Sequence, residues 1–315
     1  MGTVFEAGKD FPRSRSELEK WFPTEEACRD FLDELRWGEG FECPACGHSE
    51  RWRMADGKSV CTRCQKQTSI TAGTIFEKTR TPLRTWFAAA WLMTAQKHGV
   101  SALGLQRVLG LGSYQTAWMM LHRYRRAMVR PGRSKLSGHV EVDEAFIRGD
   151  RAAEKRKDKE PDDISETWVG IAVEMTPDEP AMGRIRLSHI ADRSGESLRP
   201  FVRANVARGS TIYTDAWRGY NGLSGYKRIS INLSASPWAA TDVMPAVHRV
   251  AALLKRWLLG THQGGVRDQL QGHLDEFVFR FNRRSSHHRG HLFYRLLQYA
   301  VETPRTTYRD ITGGP

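Results

Sequence analysis

His139-Val140-Glu141-Val142-Asp143-Glu144-Ala145-Phe146 is the stretch from which the fold is read. Apolar and polar residues alternate, which predicts a short strand with Val140, Val142 and Ala145 toward a core. Glu141, Asp143 and Glu144 crowd three carboxylates into four residues. Like charges that close repel unless cations neutralise them, and a hard divalent metal does this most directly. A half-exposed edge strand decorated with acids satisfies the same pattern, and only the remainder of the chain separates the two.

The chain has 315 residues, room for two or three domains that each bury a core. Lys and Arg number 48 against 36 acids, for a formal charge of +12. That surplus predicts an anionic partner, nucleic acid or an anionic membrane surface. No apolar run approaches the ~20 residues of a spanning helix, and the N-terminus lacks a signal-peptide core. Ten Trp and thirteen Phe exclude a disordered chain. The expectation is a soluble cytoplasmic protein without a membrane partner, associated with the nucleoid when bound to DNA.

Cys43, Cys46, Cys61 and Cys64 form two C-x2-C pairs fourteen residues apart. In a reducing compartment such pairs hold a structural Zn²⁺, four thiolates around one ion with no open position for catalysis. Cys28 stands apart on the apolar side of a helix capped by Thr24 and is assigned to a core. Residues 1–36 therefore form an N-terminal helical segment and 37–75 a zinc ribbon, with hairpin strands at Arg51-Trp52-Arg53 and Lys58-Ser59-Val60. Arg51 and Arg53, with Lys58, Arg63 and Lys66, make a candidate nucleic-acid face.

Residues 76–129 read as three helices. Pro82 opens the first and Gly99 ends it, Ser101 caps the second, and Gly110-Leu111-Gly112 turns into a third capped by Ser113. The third ends in Arg123, Arg125 and Arg126, which fits a helix-turn-helix DNA-binding domain. A three-helix bundle with a solvated basic end fits as well. Residues 130–138, basic and rich in Pro and Gly, are the linker.

Beyond it, 139–315 reads as one α/β domain. A charged segment, 148–166, carries no periodicity and is expected as a loop. Trp168–Val173 and Arg184–Leu187 read as paired strands, Ser194 opens a helix, and residues 209–215 form a strand ending on Asp215. Helices are expected at about 244–259 and 266–280. The whole is multidomain: zinc ribbon, helix-turn-helix and a ribonuclease-H-like core with a mixed sheet. In that core Asp143 and Asp215 meet across 72 residues and hold two Mg²⁺ or Mn²⁺ ions, about 3.5–4 Å apart.

Val140-Glu141-Val142-Asp143-Glu144, Tyr213-Thr214-Asp215 and Val247-His248-Arg249 running into Leu253-Leu254-Lys255-Arg256 resemble the DDE-type insertion-sequence transposases of the IS-fifteen-ninety-five family. So does the tail from Asp275-Glu276-Phe277 to Phe281-Asn282-Arg283-Arg284. The resemblance runs from the zinc ribbon to about Tyr299. It implies an enzyme that binds the ends of its own insertion element, cuts them with divalent metal and joins them to target DNA, as a homo-oligomer on double-stranded DNA. It implies Asp143 and Asp215 as the first two catalytic metal ligands. His248 holds the place of the commoner Glu, and Lys255 lies near the phosphate or the active site. Asp242 and Glu276 compete with His248 as third ligand. Ala145 and Arg148 depart from the continuation that usually follows the first aspartate. The alternatives are a catalytically decayed copy or a zinc-ribbon and helix-turn-helix regulator.

Overall fold

The computed structural model describes residues 5–130, 132–147, 167–176, 182–232, 240–262 and 269–313. The expected loop at 148–166 lies outside these, as does the expected helix start at Val266. The chain divides into two units, residues 1–130 with 285–315 and residues 131–284. The α/β half expected to run to 315 therefore ends at Arg284. The reason is apolar packing: the helix Arg289–Glu302 buries Leu292, Phe293, Leu296 and Leu297 within the first unit.

In that unit, α1 (Arg15–Trp21) and α2 (Glu25–Trp37) begin at Ser14 and Thr24, whose hydroxyls accept amides of the first turn. A small antiparallel sheet follows, β1 (Arg51–Arg53), β2 (Ser59–Cys61) and β3 (Gln67–Thr68). Next come α3 (Leu83–Ala95), α4 (Ala102–Leu109) and α5 (Tyr114–Ala127), the last two capped by Ser101 and Ser113 as expected. α3 stops four residues before Gly99. The core is aromatic: Phe22 meets Phe31, Phe87 and Phe293 at centroid distances of 5.0, 4.7 and 6.1 Å. Cys28 is fully buried.

The second unit is built on a five-stranded mixed sheet of β4 (His139–Ile147), β5 (Thr167–Met175), β6 (Met182–Ile190), β7 (Thr211–Asp215) and β8 (Lys227–Ile231), in the order β6-β5-β4-β7-β8. The pairs β4/β5 and β5/β6 are antiparallel, and β4/β7 and β7/β8 are parallel. One face packs Val140, Val142 and Ala172 on α6 (Gly195–Asn205) through Leu198, Phe201 and Val202. After the short α7 (Ala240–Val243), α8 (Pro245–His262) and α9 (Leu270–Phe281) cover the other face, burying Ala145, Ile171 and Val173 against Val247, Val250, Leu254 and Leu274. No helix among the described residues is long and apolar enough to cross a membrane.

The tail of α9 closes the sheet edge. An edge strand leaves backbone groups unpaired, a template for aggregation. On β6 these are met by side chains: Asn282 accepts from the Ile185 amide at 2.7 Å and donates to its carbonyl at 3.2 Å, and Gln271 accepts from the His189 amide at 3.0 Å. Arg284 donates to the Met182 carbonyl while lying 4.2 Å over the Phe281 ring. Replacing Asn282 by Ala leaves the amide of buried Ile185 unpaired and its carbonyl to Arg186 alone, and is expected to destabilise this unit by about 1–2 kcal/mol. Urea unfolding checks it, with Asn282→Gln as the shape control.

Candidate active site

The parallel register of β4 and β7 pairs His139 with Thr211 and Glu141 with Tyr213. Asp143 and Asp215 each lie two residues past the last pair, so the register that joins the strands also brings the two acids together. Oxygens of Asp143, Asp215 and Glu144 lie within 4.8 Å of one another. Burial, with the charges of Glu144 and then Asp215, pushes the Asp143 carboxyl up to about 7. Asp215 is steadied by the Trp217 amide, which donates to its carboxylate at 3.1 Å.

Glu144 belongs to the same cluster but differs from the two aspartates in its partners. Alternation turns it to the α6 face of the sheet, where only 2% of its side chain is exposed. It accepts from Arg193 Nε at 2.5 Å and from the Tyr220 hydroxyl at 2.6 Å. Its charge is already answered by protein, whereas that of the aspartates is not.

His248, in the second turn of α8, points Nδ1 at Asp143 Oδ2 from 3.9 Å, beyond hydrogen-bonding distance. Its Nε2 is buried with no partner among the described residues. Burial, and next the charge of Lys255, lowers its pKa and favours the neutral ring, the form that binds a metal. Lys255 is exposed on the same helix face. The competing acids do not join the cluster. Asp242 is exposed on α7, and Glu276 is fully buried on α9, 3.5 Å from Arg280.

Sequence reasoning grouped Glu141 with the acids, and the structure gives it another task. Its Oε2 accepts the Ala246 and Val247 amides at 2.9 and 3.0 Å, capping the N-terminus of α8 from the sheet. Pro245 opening that helix without a Ser, Thr, Asp or Asn directly before it was the available signal. Arg193 and Tyr220, the partners of Glu144, carried none.

The four cysteines of the ribbon converge, with all sulfurs within 4.8 Å. Cys43 Sγ lies 3.6 Å from Cys64 Sγ, and Cys46 Sγ 3.7 Å from Cys61 Sγ. Bonds of about 2.3 Å to one tetrahedral ion put sulfurs about 3.8 Å apart, so the group fits a structural metal. The Ala45 amide, foremost among hydrogen bonds to Cys43, lowers that thiol's pKa.

The arginines proposed to face DNA have partners within their own unit. Arg51 forms a fork on Asp33 at 2.7 and 2.5 Å and lies 4.5 Å over the Trp37 ring, and Arg53 pairs with Asp30 at 2.5 Å. Arg123 donates to the Ile75 and Thr306 carbonyls, and Arg125 is 2% exposed beside His122. Arg126 reaches the Asp310 carbonyl and keeps an exposed side. Arg51, Arg123 and Arg125 serve the unit's own structure, while Arg53 and Arg126 keep exposed sides.

Residues 135–282 match an ISXO2-like transposase domain, and residues 23–67 match a transposase zinc-ribbon domain. A transposase zinc ribbon and an ISXO2-like transposase domain are thus both matched along this chain. An uncharacterized protein in transposable element ISH50 of Halobacterium salinarum is 26% identical over 288 residues, covering 83% of this chain and 92% of its own. The four cysteines fall inside the zinc-ribbon match, and Asp143, Asp215, His248 and Lys255 inside the transposase match. The transposase match ends two residues before the boundary at Arg284.

Raising a carboxyl pKa means that folding favours the neutral acid. The stability it contributes is present below its ordinary value of 3.8 and is lost as pH climbs to about 7. In divalent-free buffer the unit of residues 131–284 should therefore melt at falling temperature across that window. Asp143→Asn should flatten the curve. Thermal unfolding over a pH series makes the measurement, and an unchanged slope in the variant would show that Asp143 is not the group.

Proposed function

We propose that this transposase cuts the ends of its insertion element and joins them to target DNA, with Asp143, Asp215 and His248 holding divalent ions. The observation that carries the reading is the convergence of two parallel strand ends, where Asp143, Asp215 and Glu144 present oxygens within 4.8 Å of one another, with the His248 imidazole 3.9 Å from Asp143. The residues fit a divalent cation. The aspartates repel each other, and His248, held toward its neutral form, presents Nδ1 to Asp143. Bound Mg²⁺ or Mn²⁺ would activate a water or hydroxyl and stabilise the leaving oxygen. Trp217 orients Asp215, and Arg193 with Tyr220 keeps Glu144 from adding a third free charge. Lys255, exposed seven residues after His248, offers a cation to a nearby phosphate.

The strand order, with three antiparallel strands followed by two parallel ones, supports a ribonuclease-H-like core. The ribbon and α3–α5 would engage double-stranded DNA as a zinc ribbon and a helix-turn-helix, with the enzyme assembling as an oligomer on the element ends. With most candidate arginines occupied, exposed Arg63 and Lys66 of the ribbon and Tyr114 and Gln115 at the start of α5 are the better contacts. A recognition helix reads bases with its N-terminal residues.

Two experiments test this reading. Metal analysis of the purified protein should find one zinc per chain. Cys61→Ser should remove it and unfold the ribbon while leaving residues 131–284 folded; full stability without zinc would refute the site. In a strand-cleavage assay on the flanking element ends, Asp143→Asn should abolish cutting and retain end binding. Wild type should prefer Mn²⁺, because imidazole suits it better than Mg²⁺, and His248→Glu should move the preference toward Mg²⁺. An active His248→Ala would remove that residue from the site.

A further inference from the structure

We propose that a cleft beside the acidic cluster binds a backbone phosphate of the DNA strand being cut, flanking the scissile one. This inference rests on the reading of Asp143 and Asp215 as the cutting site. The cleft, of about 500 Å³, lies between the start of α6 and the turn after β7, and Arg193, Arg199, Trp217 and Arg218 line it. Its walls are continuous with the acids. Trp217 steadies Asp215 through its amide, and Arg193 donates to Glu144.

Charge points to a phosphate. Arg193 is neutralised by Glu144. Arg199 donates only to carbonyls, of Gly195 at 2.7 Å and Asn221 at 3.5 Å, and Arg218 lies 5.7 Å over the Trp217 ring. Neither has a carboxylate partner among the described residues. The lining acid, Asp192, already accepts from the Ser194 amide and the Ser197 hydroxyl, both at 2.8 Å. With Arg199 and Arg218 set against the single carboxylate of Asp192, the cleft keeps one positive charge in surplus at the mouth of a site whose own carboxylates repel a polyanion. A strand laid across Asp143 and Asp215 needs such a counterweight for its next phosphate.

The cleft is also preorganised. The Trp217 Nε1 donates to the Arg193 carbonyl at 2.7 Å, which fixes the ring between Arg193, 4.7 Å from its centroid, and Arg218. A guanidinium stacked on an aromatic face keeps its N–H edge free for bidentate phosphate binding. Two glycines allow the close approach: a Cβ on Gly195 would lie 2.9 Å from the Arg199 guanidinium, and one on Gly219 2.7 Å from the Arg193 carbonyl.

The test uses the full chain with Arg218→Ala and Arg199→Ala, Arg218 being exposed and thus safe for folding. In divalent-free buffer each variant should bind a labelled short oligothymidylate about tenfold more weakly, with a salt slope lower by about one ion. Arg218→Lys should restore part of the loss. Inorganic phosphate competing at low concentration would indicate a free-anion site and overturn the proposal. In the cleavage assay, a methylphosphonate at one phosphate flanking the cut should slow wild type, and the same substitution should cost Arg218→Ala nothing further. Additive losses at every phosphate, or unchanged binding, would also overturn it. Should wild type cut no DNA with either metal, the reading of Asp143 and Asp215 fails by itself, and the oligothymidylate arm still decides the cleft.

Discussion

The repulsion between two aspartates at the carboxyl ends of neighbouring parallel strands is the constraint to which the second unit responds. Parallel pairing in the register of β4 and β7 leaves no choice about where Asp143 and Asp215 go, since a slip of one residue would send each to the opposite face. The unit then treats its acids unequally. Glu144 receives a guanidinium and a phenol and is withdrawn among the side chains of the α6 face. Asp143 receives burial and like charge, and its proton is correspondingly hard to remove. One carboxylate satisfied and another unsatisfied a few ångströms away is an arrangement compatible with a divalent cation at the second.

How much of this was legible in the sequence follows from the range of the forces involved. Thr24, Ser101, Ser113 and Ser194 cap helices by reaching amides three residues on, and a local pattern of that kind is read directly. The cysteine pairs and the alternation in β4 are equally local. Arginine is different, because its letter is the same whether the guanidinium is solvated or bound. Arg51 finds Asp33 18 positions away, and Arg123 finds the Thr306 carbonyl 183 positions away. A net charge of +12 predicts an anionic partner and cannot say which cations are free to meet it. The same limit hid the boundary at Arg284, because the helix Arg289–Glu302 has an apolar stripe that could have covered either unit.

The run from Asp275 to Arg284 shows how a distinctive motif can be structural. Its asparagine completes an edge strand, its phenylalanines fill the core, and its two terminal arginines lie over rings, Arg283 4.0 Å from the Phe279 centroid and Arg284 over Phe281. The tail is one of four runs that carry the family resemblance, and its visible part in this structure is to close and pack the unit.

Carboxylates borrowed from another element anchor two helices here, and the device explains how His248 is aimed. Pro82 precedes α3 with no side chain to cap it, and Glu25 of α2 accepts the Leu83 and Arg84 amides at 2.8 and 2.9 Å instead. Pro245 opens α8, and Glu141 of β4 does the same for Ala246 and Val247. A carboxylate at a helix N-terminus gains from both the free amides and the helix dipole, about 1 kcal/mol or more when partly buried. For α8 the gain is positional as well. The second capped amide belongs to Val247, so His248 follows at once, and Glu141 lies two residues before Asp143 on the same face of one strand. The approach of imidazole to aspartate is thus set within β4 itself. His248 keeps that approach as long as Glu141 keeps its hold on those two amides.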